Sequence, residues 1–470
     1  MTTIVWFRQD LRRKDNPALA DAAARGAVIP LFILDEETPA LRALGGASRW
    51  WLHHSLAALA GELGGLVLRR GAAEKVLSDL IAETGATAIV WNRVYDGGGV
   101  ARDKALKANL GARGIDVRSF NAALLHEPWE LTTQSGEPYK VFTPFWRAAR
   151  QRGASAPVQT PKAKLAKLPK SDQLDDWALK PTKPDWAAGW ETIWSPGEAG
   201  AAKQLAAFLR QRLKGYGEGR DFPDQTHTSR LSPHLHWGEI SPRQVWSALA
   251  HADAANPALA RDGEKFLSEL GWREFAHHLL FHFPEMAEKN WRSSFDAFPW
   301  RRSAKDFAAW SRGQTGYPLV DAGMRELWAT GYMHNRVRMV TASFLIKHLR
   351  LDWRKGEAWF WDTLVDADHA NNPVSWQWVA GSGADAAPYF RIFNPTEQGR
   401  KFDASGAYIR RWVPELAKLP GDQIHAPFDA GDDALRAANV RLGETYPAPI
   451  VDHRAAREAA LAAYAEIKAR

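Results

Sequence analysis

A polar, tryptophan-containing stretch in the C-terminal third of the chain carries the side chains best suited to chemistry. Residues 366–395 read DADHANNPVSWQWVAGSGADAAPYFRIFNP, in which Asp366 and Asp368 are followed by paired amides and by Trp376 and Trp378. Buried acids and amides need hydrogen-bonding partners, so they rarely gather where there is no ligand. Acids, amides and indoles together suit a planar, redox-active ring that makes hydrogen bonds. The stretch therefore predicts a flavin site.

A second stretch, GYGEGRDFPDQTHTSRLSPHLHWGEISP (215–242), places hydroxyls ahead of a predicted helix. No strand precedes its glycines, which argues against a nucleotide-binding glycine loop. Hydroxyls and free backbone N–H groups at a helix start can bind an anion such as a pyrophosphate. Simple N-capping by Ser or Thr is the alternative, and this segment alone favours it.

The predicted helix FLSELGWREFAHHLLFH (266–282) carries Glu269, Trp272 and Arg273 within about one turn. An acid beside an indole and a guanidinium suits a pocket for a polar aromatic substrate, whereas ordinary i,i+4 charge pairing is the alternative. His278 and His282 also stand at i,i+4. They lack the glutamate of an HExxH motif and a clear third ligand, so no metal site is predicted.

The segment GYMHNRVRMVTASFLIKHL (331–349) begins a helix that turns apolar towards its end. Arg336 and Arg338 point to different faces, so that one can reach a phosphate and the other an internal acid. Met339 at a helix start is more typical of a core position than of a substrate contact.

The first 125 residues alternate between two periodicities. Short apolar runs predict strands at 3–7, 27–34, 65–69, 87–91 and 115–120, and amphipathic stretches predict helices at 17–25, 48–63, 73–83 and 100–112. Continuous β-branched runs separated by such helices predict a buried, doubly wound parallel sheet. Sheets of this kind bind ligands at the carboxyl ends of their strands. No GxGxxG follows a strand and no Walker A motif is present.

Beyond the α/β region the sequence predicts a linker and then a helical domain. Residues 131–195 are rich in Pro, Lys, Ala and Asp, which is typical of an extended surface connector. Its lysines are expected to be mostly solvated, with DNA contact as the alternative. From 196 to 470 the pattern is almost wholly helical. The predicted domains are therefore 1–130, 131–195 and 196–470.

Composition excludes several functional classes. The chain has no cysteine, which rules out disulfides, thiolate metal sites and cysteine nucleophiles and favours a reducing cytoplasm. A net charge of +7 modestly favours a polyanionic partner. The N-terminal MTTIVWFRQDLRR meets charge by Arg8, so no signal peptide is expected. No apolar run approaches the ~18 residues of a membrane span.

Several of these stretches, in this order, resemble the DNA photolyase/cryptochrome family, and most closely its cyclobutane pyrimidine dimer photolyases. Besides residues 366–395, the matching motifs are WFRQDLRRKDNPAL (6–19), RDFPDQTHTSRLSPHL (220–235), ELGWREFAHHLL (269–280), TGYPLVDAGMRELWATGYMHNRVRMVTASFLIKHL (315–349) and DWRKGE (352–357). The resemblance covers most of the chain. It implies an antenna-type α/β domain followed by a helical domain that binds FAD and carries the catalytic residues.

The resemblance assigns residues to the cofactor position by position. FAD would be folded into a U inside the helical domain, with Asn372 facing flavin N5 and Arg338 paired with Asp366. The residues implied in FAD binding are Tyr216, Thr228, Ser229, Arg230, Leu231, Ser232, Phe266, Arg273, Arg338, Asp366, Ala367, Asp368 and Asn372.

The resemblance also implies a substrate pocket, DNA contacts and an electron path. The residues implied in catalysis are Glu269, Trp272, Asn335, Met339 and Trp378. Those implied in DNA binding are Arg220, Glu269, Trp272, Arg273, Asn335 and Arg336. Trp376, Trp353 and Trp300 match the family's chain of indoles from the flavin to the surface. The implied activity is light-driven splitting of the dimer by an electron from reduced FAD, which then regains the electron.

Two alternatives within the family remain. A (6-4) photolyase carries a second histidine where this chain has Asn335, so His334–Asn335 favours cyclobutane dimers. A cryptochrome photoreceptor usually adds a C-terminal extension or loses pocket residues, and neither is expected here. A sugar- or nucleotide-transferring enzyme built on the α/β domain has no supporting motif.

The resemblance leaves three alternatives for a second, antenna chromophore: a deazaflavin, a flavin or no antenna at all. Where folate-binding members carry an Asn–Glu pair, residues 94–103 read VYDGGGVARD. Folate in that mode is therefore not expected. The protein is expected to be a cytoplasmic monomer.

Overall fold

The computed structural model describes residues 1–386 and 390–468. Pro388 and Tyr389, which begin the PYFRIFNP motif, lie outside the described residues. The chain divides into two compact units. The first comprises Met1–Lys214, Ser229–Pro284 and Val365–Ala370, and the second comprises Gly215–Thr228, Glu285–Leu364 and Asn371–Arg470. The domain boundaries near residues 130 and 195 concern folding domains and stay a prediction.

The first unit contains a parallel sheet in the order β3-β2-β1-β4-β5, with a short β6 beside β2. Its strands are β1 Thr2–Phe7, β2 Ala27–Leu34, β3 Val67–Arg70, β4 Ala88–Asn92, β5 Asp116–Phe120 and β6 Lys164–Leu165. Because β1, β2 and β4 are buried on both faces, they read as continuous apolar runs in the sequence. The predicted doubly wound α/β sheet is confirmed.

Helices make up the rest of both units. In the first unit they are α1 Pro17–Arg25, α2 Gly46–Leu63, α3 Ala73–Thr84, α4 Gly97–Ala112, α5 Phe142–Arg152, α6 Trp190–Ile193, α7 Glu198–Gln211, α9 Ser232–His236, α10 Pro242–Ala255 and α11 Ala260–His282. In the second they are α8 Tyr216–Gly219, α12 Ala304–Ser311, α13 Pro318–Thr330, α14 Asn335–Ser343, α15 Trp353–Thr363, α16 Asn371–Ala380, α17 Pro395–Phe402, α18 Ala407–Trp412, α19 Asp432–Ala437 and α20 His453–Lys468. Among the described residues, no helix is both long and apolar enough to cross a membrane.

The strand order reverses between β1 and β4, which is where doubly wound sheets usually bind ligands. Here the protein's own side chains fill that position. Arg8 donates to both carboxylate oxygens of Asp103 at 2.8 Å and also to the Asn92 carbonyl. The Asn92 amide donates to Asp10 at 2.6 Å and to Asn16 at 2.8 Å. This buried network occupies the carboxyl ends of β1 and β4, and within it Arg8 Nε has no hydrogen-bond partner among the described residues.

The segment predicted as a linker contains helix α5, which the sequence interpretation missed. Only Phe145 and Ala149 of this helix are buried, and the helix also carries three arginines, Arg147, Arg150 and Arg152, so its apolar periodicity is weak in the sequence. Farther along the segment, Trp177, Trp190 and Trp194 are also buried. Large indoles thus anchor a stretch that composition alone had placed in solvent.

In the second unit, the helix predicted over 335–349 changes geometry part-way. Helix α14 ends at Ser343, and Phe344–His348 continues as a π-helical turn whose side chains are all buried. Single π-helical turns inside α-helices are often found at functional sites. Apolar periodicity does not distinguish the two geometries, so the sequence could not predict this change.

Candidate functional site

In the first unit, the acids of the DADH motif lie in the short segment Val365–Ala370 and are held by side chains distant in sequence. Ser232 Oγ donates to Asp366 Oδ2 at 2.6 Å. His236 Nδ1 donates to Asp368 Oδ2 at 3.3 Å, and His277 Nε2 lies 3.6 Å from the same oxygen. Asp366 and Asp368 are both buried. Both acids therefore have polar partners in a buried setting within this unit, and their contact with a flavin stays a prediction.

The charge on Asp368 is stabilised by its surroundings. Burial by itself would raise its pKa, but His277, His236 and Arg273 outweigh burial and hold the pKa well below the usual range of an aspartate. Asp368 therefore stays ionised over the whole physiological pH range. An ionised carboxylate can accept hydrogen bonds from the N–H or O–H groups of a bound ligand.

Asp368, His236 and His277 border an enclosed polar cavity of about 20 Å³, which is space for one ordered water. Gln9, Arg93 and Arg273 are among its other lining residues. His236 Nε2 is buried and has no hydrogen-bond partner among the described residues. An orphaned buried donor or acceptor costs free energy, so this atom fits a site that is completed by a polar ligand or water.

The predicted anion segment is irregular before α9. Gln204 Nε2 donates to the Ser229 carbonyl at 2.7 Å, and Arg230 has a φ of 53°, in the left-handed region. The Arg230 guanidinium lies 4.2 Å from the ring centre of Trp194. Leu231 is buried, whereas Ser232 is exposed and bonded to Asp366. These contacts hold the loop in one conformation, and its role in binding an anion stays a prediction.

Helix α11 presents the predicted catalytic pair of the first unit. Glu269 and Trp272 stand at i,i+3 and are each partly exposed. The Glu269 carboxylate forms an ion pair with Lys265 at 3.2 Å. The Trp272 ring is stacked on Phe142, with ring centroids 3.7 Å apart. The structure therefore brings Glu269 and Trp272 to one face of α11 and gives each a fixed neighbour.

Arg273 and Glu274 join α11 to the segment that follows β5. Arg273 Nη1 donates to the Ala123 carbonyl at 2.8 Å and to Glu274 Oε1 at 3.1 Å. Glu274 Oε2 accepts from the Leu125 backbone N–H at 2.7 Å. Burial raises the Glu274 pKa to about 7, although Arg273 and backbone N–H groups oppose the rise. Arg273, expected at the cofactor and DNA, thus also has a structural role inside the first unit.

In the second unit, Asn372 is held by α15. Its Nδ2 donates to the backbone carbonyl of Glu357 at 3.1 Å and to Glu357 Oε1 at 2.8 Å. Both residues are buried. The two bonds fix the orientation of the amide that the resemblance places at flavin N5. Glu357 belongs to the DWRKGE motif, but its type and spacing alone did not suggest this role.

The three tryptophans implied in electron transfer differ in burial. Trp376 and Trp353 are buried, whereas Trp300 is partly exposed. Trp353 Nε1 donates to Asn290 Oδ1 at 2.9 Å, and the Trp300 ring lies 4.4 Å from Phe298. Neighbouring rings of Trp376 are Phe360 at 4.9 Å and Trp310 at 6.3 Å. The sequence did not single out Trp310.

Other predicted residues of the second unit lie around α14. Asn335 is exposed and Met339 is partly exposed one turn later, on the same face. Arg336 pairs with Asp221 at 2.9 Å and lies over Phe402, and Arg338 Nε donates to the Met333 carbonyl at 2.7 Å. The exposed face of α14 therefore carries Asn335 and Met339.

The remaining predicted residues vary in burial. Tyr216 is buried beside Arg220, whose guanidinium lies 5.6 Å from its ring. Trp378 is partly exposed. In the first unit Ala367 is buried, and Phe266 packs on Phe208 with ring centroids 4.5 Å apart.

The glycines of VYDGGGVARD have a packing role. A Cβ at Gly98 would lie 2.2 Å from the Ala40 carbonyl oxygen, and one at Gly99 would lie 2.5 Å from Val94 Cγ2. Asp96 caps α4 by accepting from the Gly99 N–H at 2.7 Å. The close approach of backbone explains glycine here without a ligand.

Known protein families match most of the chain. Residues 3–163 match the family model described as DNA photolyase, and residues 266–466 match the FAD binding domain of DNA photolyase. A deoxyribodipyrimidine photo-lyase of Agrobacterium fabrum is 59% identical over 99% of this chain and 98% of its own length. The chain belongs to the DNA photolyase/cryptochrome family.

Two further members of the family give the range of similarity. The crystal structure of a bacterial class III photolyase from Agrobacterium tumefaciens superposes with a TM-score of 0.95, at 57% identity, over 100% of this chain and 98% of that one. Cryptochrome-1 of Arabidopsis thaliana is 41% identical over 96% of this chain but only 68% of its own length. FAD is thus the cofactor of this photolyase-family protein, as the sequence predicted.

In each unit, candidate site residues have partners that the sequence did not predict. Phe142 stacks on Trp272, Glu357 holds Asn372, and His236 and His277 face Asp368. His277 lies within the ELGWREFAHHLL motif, which was its only signal. Phe142 lies in the segment interpreted as a linker, so composition pointed away from it.

Proposed function

We propose that this protein is a light-dependent DNA repair enzyme, a deoxyribodipyrimidine photo-lyase that splits cyclobutane pyrimidine dimers. The observation that carries the proposal is 59% identity to a named photo-lyase across nearly the full length of both chains. The partly exposed Glu269 and Trp272 on one face of α11 support it, because a pyrimidine dimer offers both hydrogen-bonding edges and apolar faces.

We propose that FAD is bound in the first unit by the Ser229–Ser232 loop, Phe266, Arg273 and the Asp366–Asp368 segment. In the second unit, Tyr216, Thr228, Arg338 and Asn372 have the same role. These residues would hold FAD, which in reduced form and under blue or near-UV light would supply the electron that splits the dimer and would then take it back, with no net redox change. The ionised Asp368 and the fixed amide of Asn372 orient the ring and set the polarity around it.

The substrate is a dimer flipped out of the duplex. Flipping costs only a few kcal/mol, because a damaged pair is weakly stacked. We propose that Trp272, and Trp378 in the second unit, form apolar walls, while Glu269 makes a hydrogen bond to a base edge. Asn335 and Met339, which share a face of α14, complete the contacts.

Arginines are expected to contact the DNA phosphates. Arg220, Arg273 and Arg336 have this role, which positions the duplex without reading its sequence. The pairing of Arg336 with Asp221 keeps its guanidinium in one orientation before DNA arrives.

Trp376, Trp353 and Trp300 are proposed to carry an electron to oxidised FAD. The two buried indoles and the partly exposed third one suit a path that ends at the surface. The protein is proposed to be a cytoplasmic monomer, in keeping with the absence of cysteine from its sequence.

The deciding experiment is a repair assay. The purified protein is reduced without oxygen, mixed with DNA that carries cyclobutane dimers, and illuminated in the blue, with a dark sample as control. Light-dependent restoration of the pyrimidines is expected. Glu269→Gln and Trp272→Ala are expected to lower repair by at least about tenfold while flavin content stays at the wild-type level.

The rival functions give different results in the same assay. Repair of (6-4) lesions without repair of cyclobutane dimers would show that Asn335 does not select the dimer. Loss of both repair activities, with a bound flavin that light still reduces, would identify a photoreceptor instead.

A further inference from the structure

A row of three nearly parallel aromatic rings connects α5 to α11. Trp272 and Phe142 have ring centroids 3.7 Å apart and planes 8° from parallel. Phe142 and Trp146 follow at 6.3 Å, again with an interplanar angle of 8°. All three residues belong to the first unit. At so short a separation the Phe142 ring covers one face of the Trp272 indole.

The far end of this row is fixed against the backbone of α11. A Cβ at Gly271 would lie only 2.4 Å from Cε3 of Trp146. The Trp146 indole thus occupies the space that a side chain at position 271 would need. The Arg150 guanidinium lies 4.9 Å from the ring centre of Trp246, and it pairs with Glu264 of α11 at 2.5 Å. Helix α5 is thus held against α11 at Trp146 and at Arg150, one and two turns after Phe142.

The Trp272 indole is also bordered at its edge. Phe275, which is buried, meets Trp272 edge-on at 6.0 Å and Phe142 edge-on at 5.9 Å. Trp272 nevertheless stays partly exposed. One face and one edge of the ring are therefore covered by protein, and this leaves the indole few rotamers.

We propose that Phe142 is a positioning residue for dimer binding: it fixes the plane of Trp272 so that the flipped dimer meets a preformed wall. This inference rests on the proposed contact between Trp272 and the dimer. A side chain that is already ordered does not lose rotamer freedom when the ligand binds, so the ligand binds with a lower dissociation constant. Phe142 itself need not touch the DNA.

The test is the Phe142→Leu variant of the holoenzyme, which keeps an apolar side chain but removes the stacked ring. The dissociation constant for dimer-containing duplex is measured in the dark, and the repair rate is measured at saturating DNA. A rise of about 3- to 10-fold in the dissociation constant is expected, because ordering one freed side chain costs about that much. The saturated repair rate is expected to change by less than about twofold.

Two further variants separate positioning from a general structural role. Phe142→Tyr keeps the stacked ring and is expected to restore wild-type affinity. Phe281→Leu, the same truncation of a partly exposed Phe on α11, is expected to leave the affinity unchanged, since the Phe281 ring lies 5.4 Å from Trp129, at a tilt of 52°, and not against Trp272. Should Phe142→Leu not fold with flavin bound, Phe142→Met takes its place.

A double-variant cycle distinguishes failure of this inference from failure of the proposed function. If Phe142 acts through Trp272, adding Phe142→Leu to Trp272→Ala weakens binding no further. Additive losses, or an unchanged affinity in Phe142→Leu while Trp272→Ala binds weakly, would overturn the positioning role and leave the function standing. An unchanged affinity in Trp272→Ala would instead remove the assignment on which both rest.

Discussion

At the scale of single residues, the predicted site residues are held by partners that fix their orientation. Asp368 faces two histidines, Asn372 is bonded to Glu357, and Trp272 is stacked on Phe142. Each partner limits the freedom of a group proposed to touch the cofactor or the dimer. A site that is ordered before binding loses less entropy when the ligand arrives.

Replacing Glu357 tests the support of Asn372. Glu357→Ala removes the 2.8 Å bond to Oε1 and leaves the bond from Asn372 Nδ2 to the backbone carbonyl. We expect a loss of about 1 kcal/mol in the free energy of unfolding. Denaturant titration of the holoprotein measures it. Glu357→Gln keeps an acceptor and is expected to lose less, so equal losses in both variants would argue against this bond.

The buried Glu274 predicts a pH dependence. Since burial raises its pKa to about 7, the folded protein keeps this proton at pH values where the unfolded chain has released it. Protonated Glu274 therefore contributes fully to the free energy of unfolding at pH values below the usual glutamate pKa. This contribution, up to ~3 kcal/mol, is lost as the pH rises to about 7.

Glu274→Gln cannot titrate, so it is expected to gain stability relative to the wild type between pH 5 and pH 8. Thermal unfolding midpoints at both pH values measure the difference. Glu285→Gln, at an exposed glutamate paired with Lys289, serves as the control. A difference between wild type and Glu274→Gln that stays constant with pH would show that Glu274 does not titrate in this range.

At the scale of elements, α15 and α16 pack so closely that only glycine fits at one position. A Cβ at Gly356 would lie 2.2 Å from Cη2 of Trp376. The Trp376 indole, proposed to begin the electron path, can thus occupy its position only because Gly356 on the neighbouring helix has no side chain. This is a requirement of helix packing and not of glycine's backbone freedom.

Gly356→Ala is therefore expected to destabilise the protein by about 1–3 kcal/mol, because the added methyl group displaces the indole. In the same variant, the flavin is expected to be photoreduced more slowly. The rate is measured by absorbance during illumination with blue light. Gly61→Ala is the matched control, since a Cβ there would meet nothing within 4 Å in helix α2. The free energy of unfolding of Gly61→Ala is expected to rise by about 0.5–1 kcal/mol. Equal stability of the two variants would contradict the packing argument.

At the scale of the whole molecule, the net charge of +7 bears on how DNA is bound. Binding that neutralises phosphates releases counterions, so the affinity falls with salt in proportion to the number of contacts. Phosphate contacts of this kind carry little sequence preference. We therefore expect dimer-containing duplexes of different flanking sequence to bind with similar affinity.

The salt dependence can be assigned to single arginines. In a plot of log affinity against log salt, Arg220→Gln is expected to reduce the slope by about 0.9, the value for one phosphate contact. Arg436→Gln, at an exposed arginine paired with Asp433, is the control and is expected to leave the slope unchanged. An unchanged slope in Arg220→Gln would remove Arg220 from the DNA contacts.

Local patterns were sufficient for most elements of the fold. Strand β2 and helix α1 begin and end where the periodicity placed them, because their apolar spacing and the N-cap at Asn16 are local signals. Helix α5 was missed, since only Phe145 and Ala149 of its residues are buried. The π-helical turn Phe344–His348 was missed because its residues read as a continuation of α14.

The sequence by itself determined the family, the cofactor and the parallel sheet, because motifs and periodicities are properties of neighbouring residues. Only the tertiary structure decided which side chains support one another. Ser232 and Asp366 meet although 134 positions separate them, and Arg8 donates to Asp103, 95 positions away, near the strand-order reversal. Hydrogen bonds and ring stacking depend on atoms within a few ångströms of each other, and the chain's path in three dimensions sets which atoms those are.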